Sequence, residues 1–141
     1  MRLRILYLSF MLLLMSAAPA LAQQCLSYEP AEVSLAGRIS RQTCPGPPNY
    51  QSIRRGDRPE ISWVLHLQRP VCVTGNTNEF NEAEQRVTDL QLILEPEEYK
   101  RFSKFVGTKR SVTVSGTLTH AQTGHHHTSV LIDVSNIKGG S

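Results

Sequence analysis

The chain has no Cys-x-x-Cys pair and no His-Glu-x-x-His segment, so neither a thiolate zinc site nor a zinc-peptidase helix is encoded. No serine or cysteine motif accompanies Asp57, Glu60 and His126, the residues that could be cast as acid, base or water activator, so an enzyme is not expected. Charge of one sign is also missing: Lys and Arg number 15 against 12 Asp and Glu. With Arg2 and Arg4 assigned to a leader, the balance is nearly even. Non-specific nucleic-acid binding, which depends on neutralising phosphates, is thereby disfavoured. Cysteine is scarce, at three residues. Beyond the N-terminus no apolar run reaches the ~20 residues of a membrane span.

Residues 1–22 read as a cleaved signal peptide: basic Arg2 and Arg4, an apolar stretch from Ile5 to Met15, and Ala20-Leu21-Ala22 as the cleavage site. Gln23 and Gln24 stand before Cys25 where a lipid-modified cysteine would have small residues. The expectation is a bacterial protein that is periplasmic or secreted, without a membrane anchor in its mature form. Residues 23–137 are then one domain and 138–141 a flexible tail. Three disulfide pairings are open among Cys25, Cys44 and Cys72. Cys25 with Cys72 is favoured, since each lies beside a predicted strand and Cys44 falls in a Pro/Gly-rich loop. Closing that loop is worth about 4 kcal/mol on the chain-entropy account.

Period-two alternation marks the strands. Val33, Leu35, Gly37 and Ile39 share one face of Glu32–Ser40, and Gly37 suggests a bulge or sharp coil there. Ile61, Trp63, Leu65 and Leu67 point inward from a second strand, leaving His66 as an exposed strand residue. Leu90, Leu92 and Leu94 face one way in a third, Val87–Leu94. A helix follows from Pro96, suited to the first helical position, with Glu97 and Glu98 near its positive end and Gly107 as its stop. Tyr99, Phe102 and Val106 form its packing face. Val112, Val114, Gly116 and Leu118 make a fourth strand, and Val130–Val134 a fifth. The expected fold is mainly β: a small five-stranded, oligonucleotide/oligosaccharide-binding-like barrel with one helix between strands three and four.

Pro45-Gly-Pro-Pro-Asn-Tyr50, Gly56-Asp57, Pro59-Glu60, Trp63-Val64-Leu65, Pro70-Val-Cys-Val73 and Thr123-Gly-His-His-His-Thr128 together resemble an exported bacterial family defined by a domain of unknown function (family 4431). The resemblance implies a small exported β domain with no assigned activity, and Cys25–Cys72 as its disulfide. Where similar sequences carry an aromatic residue before Pro-Gly-Pro-Pro, this chain has Cys44.

In such a barrel the loop after strand one and the loop between strands four and five flank one ligand face. Here these are the 41–59 connection, with Asn49, Tyr50, Arg54, Arg55 and Asp57, and the 120–128 loop, with His120, His125, His126 and His127. Function is therefore expected at their meeting point, where the chain would bind a protein or small-ligand partner. Arg54, Arg55 and Arg58 suit a carboxylate or phosphate. A metal-binding alternative uses His120, His125 and His127, with His126 beside them, since neutral imidazoles suit Zn, Ni or Cu. A third alternative is an inhibitor or immunity-type protein for a periplasmic hydrolase. No resident cofactor is expected.

Overall fold

In the order of the chain the elements are β1 (Leu26–Ser27), β2 (Glu32–Pro45), β3 (Pro59–Thr74), β4 (Glu84–Ile93), α1 (Pro96–Phe102), β5 (Val112–His120) and β6 (Val130–Gly139). They are taken from a computed structural model that describes residues 24–140, so the expected leader at 1–22 lies outside the described residues.

The strands close on themselves. β3 pairs with β2, β2 with β5, β5 with β6, β6 with β4, and β4 again with β3. Only the β4–β6 contact in that ring is parallel. This is a closed five-stranded barrel with its helix after the third barrel strand, as expected from the sequence. β1, read there as a lead-in, adds a sixth short strand parallel to β3 at Val73 and Thr74. The Cys25–Cys72 disulfide fastens it in place.

The alternation seen in the sequence supplies the core. Leu35, Ile39, Trp63, Leu65, Leu90, Leu92, Val112, Val114, Leu118, Val130, Ile132 and Val134 are buried in one cluster. Between Val134 and Ile137 the inward period slips by one residue. A register shift opposite Ser115 and Gly116 absorbs the extra residue, so Ile137 still reaches the core.

Gly37 makes the barrel's corner. It pairs with Val112 on one side and Leu67 on the other, handing β2 from β5 to β3. A Cβ at this position would sit 2.2 Å from the carbonyl oxygen of His66, so only glycine admits that approach. The sequence offered a bulge or a sharp coil here. The structure is a coil through an unbroken strand.

The expected helix is shorter than its sequence pattern. α1 opens with Pro96 inside a capping box formed by Glu95 and Glu98, and it gives way to a 3-10 turn at Ser103–Phe105. Phe102 enters the core, Tyr99, Phe105 and Val106 pack against it, and Tyr99 meets Trp63 edge-on at 4.9 Å between ring centres. The last strand is longer than expected. Lys138 and Gly139, assigned to a tail, pair with Thr113 and Val112, and the Gly140 amide donates to the Ser111 carbonyl at 2.8 Å.

A smaller buried group lies outside the main core cluster. Cys44, Ser62, Val64, Gln91 and Leu131 are all below a tenth exposed. Val64, Gln91 and Leu131 are register partners on adjacent strands, forming a row across the barrel wall. Glu60, Ser62 and Val64 share one face of β3 by its two-residue period. That face would be open to water if nothing folded over it.

Candidate functional site

Two loops fold over it. The first connects β2 to β3 and is shorter than the predicted 41–59 span, because both strands extend into it and Cys44 pairs with Glu60. Cys44 is therefore a buried strand residue with a free thiol, which burial pushes up from its usual pKa. The rest of this loop is organised by Asp57. Its carboxylate accepts from the amides of Asn49, Gln51 and Ser52 at 2.7–2.9 Å and from the Asn49 side chain at 3.1 Å. These donors, led by the Ser52 and Gln51 amides, hold Asp57 down to a pKa of about 2. Asn49 and Asp57 are thus the loop's internal frame. Arg54 and Arg55 lie in a 3-10 turn, exposed. With Arg58, they make no ion pair among the described residues.

The second loop runs from Ala121 to Ser129. Gln91 on the barrel wall holds its backbone, donating from Nε2 to the His125 carbonyl at 3.0 Å and accepting from the His127 amide at 2.7 Å. The Gln91 amide in turn donates to the Thr128 hydroxyl at 2.8 Å. His126 serves its own loop: its Nδ1 accepts from the Gln122 amide at 2.9 Å. Burial foremost, then the neighbouring His125 and His127, lowers the His126 pKa, which keeps that acceptor lone pair available.

Glu60 joins the two loops. His127 Nε2 lies 2.5 Å from one of its oxygens and His125 Nδ1 lies 2.9 Å from the other. Burial alone would raise the Glu60 carboxyl, but hydrogen bonds and charge from His127 and His125 outweigh it and the net shift is downward. An ionised carboxylate has no proton to give, so both imidazole nitrogens donate. That fixes the remaining side of His125: in the neutral ring Nε2 is the acceptor, and the Tyr50 hydroxyl donates to it at 2.9 Å. Tyr50 also stands edge-on to His125 at 4.8 Å and adopts a positive φ of 56°. Its ring lies against Gly124, where a Cβ would come within 2.5 Å of it.

The structure therefore brings Tyr50, His125 and His127 together and leaves Arg54 and Arg55 exposed in the 3-10 turn of the first loop. His120 is not part of this group. It ends β5 rather than entering the loop, and its Nε2 binds Glu84 at 2.9 Å beside Tyr28. The proposed metal set of His120, His125 and His127 is thus divided between two carboxylates. Among the described residues no group of three or more His, Cys, Asp or Glu is arranged to hold a metal ion.

Residues 89–138 match the model of a domain of unknown function, DUF4431. The matched segment takes in the second half of β4, the helix, β5, the histidine loop and β6 up to Lys138. Glu60 and Tyr50, which complete the site, come from outside it. No curated protein matches the sequence.

Proposed function

We propose that the protein is an exported bacterial binding module whose contact surface is this clamped pair of loops, and that the partner presents carboxylate or phosphate groups to Arg54, Arg55 and Arg58. The observation that carries the reading is the Glu60 carboxylate shared by His125 and His127. It fixes two loops that are distant in sequence, so a partner meets an ordered surface and little conformational freedom is lost on binding. Unpaired guanidinium groups beside a rigid surface suit bidentate recognition of an acidic group. The Cys25–Cys72 disulfide is compatible with an oxidising compartment. No observation favours the metal-binding or inhibitor reading over this one.

The test is a pull-down from periplasmic extract with the wild type and Arg54→Ala/Arg55→Ala, at low and moderate salt. The reading predicts a partner retained by the wild type, weakened by salt and lost with the double variant. The same partners on both proteins would exclude the loop pair as the contact surface.

A further inference from the structure

On the barrel wall, three polar side chains from three adjacent strands form a line. Ser40 Oγ of β2 lies 2.7 Å from His66 Nε2 of β3, and His66 Nδ1 lies 2.5 Å from Asp89 Oδ1 of β4. Asp89 also accepts from the Thr88 hydroxyl at 3.2 Å, on its second oxygen. The barrel register accounts for the alignment, since His66 is directly opposite Asp89 on one side and Arg38 on the other. Ser40 follows Arg38 by two residues and so shares its face.

With Asp89 ionised, His66 Nδ1 must donate to it. In the neutral ring Nε2 is then an acceptor, and the Ser40 hydroxyl donates to it. This is the order nucleophile, base and orienting carboxylate that defines an activated serine wherever it occurs. Arg38 adds a cation on the same face that makes no ion pair among the described residues.

We propose that Ser40 is a nucleophile for acyl transfer from small carboxylic esters, with His66 as its base and Asp89 as the positioning residue. The Ser40 Oγ lone pair bonds to the ester carbonyl carbon as its proton passes to His66 Nε2. Arg38, on the same strand face, is the cation available to the oxygen on which charge develops. Collapse breaks the carbonyl–alkoxy bond, and the proton on Nε2 leaves with the alcohol. Water then attacks the acyl-Ser40, giving up a proton to Nε2 that returns to Oγ as the carboxylic acid departs. The open wall sets the substrate class: short, unhindered acyl groups rather than chains that need a deep pocket. This site shares no residue with the loop clamp, so it stands or falls independently of the binding reading.

The full-length mature protein is treated with a fluorophosphonate probe, the adduct is located by peptide mass, and hydrolysis of p-nitrophenyl acetate is followed in parallel. Expected is a single adduct on Ser40, absent from Ser40→Ala, slowed at least tenfold in His66→Gln and Asp89→Asn, and largely restored in Asp89→Glu. Ser34, whose hydroxyl bonds that of Ser115 at 2.8 Å, is the internal control and remains unlabelled. A strongly downfield His66 Hδ1 proton resonance, lost in Asp89→Asn, reports the positioning role without reference to activity. No adduct on the wild type, equal labelling of Ser34, or ester hydrolysis undiminished in Ser40→Ala overturns the proposal. Should Ser40→Ala fail to fold, Asp89→Asn with Ser40 intact decides it by the same adduct.

Discussion

Asp57 and Glu60 are three residues apart and do different work with the same chemistry. Asp57 gathers amide donors from its own loop, whereas Glu60 gathers imidazoles from a loop more than sixty residues away. Each carboxyl is held below its ordinary pKa, so each contributes stability above the unfolded carboxylate range and loses it as the pH falls through its folded value. For Asp57 the window runs from 3.8 down to about 2. An asparagine side chain at this position resembles the protonated acid, and this gives a direct comparison. Asp57→Asn is expected to melt below the wild type at neutral pH, with the gap closing as the pH falls across that window. A gap independent of pH, measured by thermal unfolding, would show that the amide cradle does not depend on the charge. Neither role is legible from composition. In the sequence Asp57 stands out only as part of a polar loop, and Glu60 reads as an acid or base. The partners that define Glu60 are fixed by the fold and by no local pattern.

At the scale of elements, the strands were legible because alternation is a local property and the barrel enforces it. Their ends were not. β2 runs on past Ser40 because β3 offers a matching edge from Ile61 back to Pro59, a tertiary partner that overrides the local prolines. The same reason moves His120 from loop to strand, where it pairs with Val130. The contact between loops at Gly124 yields a test at this scale. Gly124→Ala pushes the Tyr50 ring away and is expected to destabilise by roughly 1–3 kcal/mol, the usual cost of overpacking. In a Tyr50→Ala background the same change should cost little, because the ring it displaces is gone. Urea unfolding of the four proteins measures the coupling. An equal cost in both backgrounds would place the strain elsewhere.

The described residues form a closed barrel whose wall is buried beneath the loops, and this makes the loops structural as well as exposed. Cys44, Ser62, Val64, Gln91 and Leu131 stay buried only while the two segments remain folded over them. The order of strands and helix in the sequence was enough to expect the barrel, and the barrel was enough to expect the loops as neighbours. What the sequence could not supply was the fastening: Glu60 from the start of β3, Gln91 from the middle of β4, and the exclusion of His120.

The direct measurement is amide hydrogen exchange on the wild type and Glu60→Gln. One glutamine oxygen cannot accept from two imidazoles in the way a carboxylate does. The account predicts faster exchange in the variant at both 49–52 and 122–128, with the core strands unchanged. Exchange altered in one loop alone, or in neither, would contradict the claim that a single carboxylate holds the two loops as one surface.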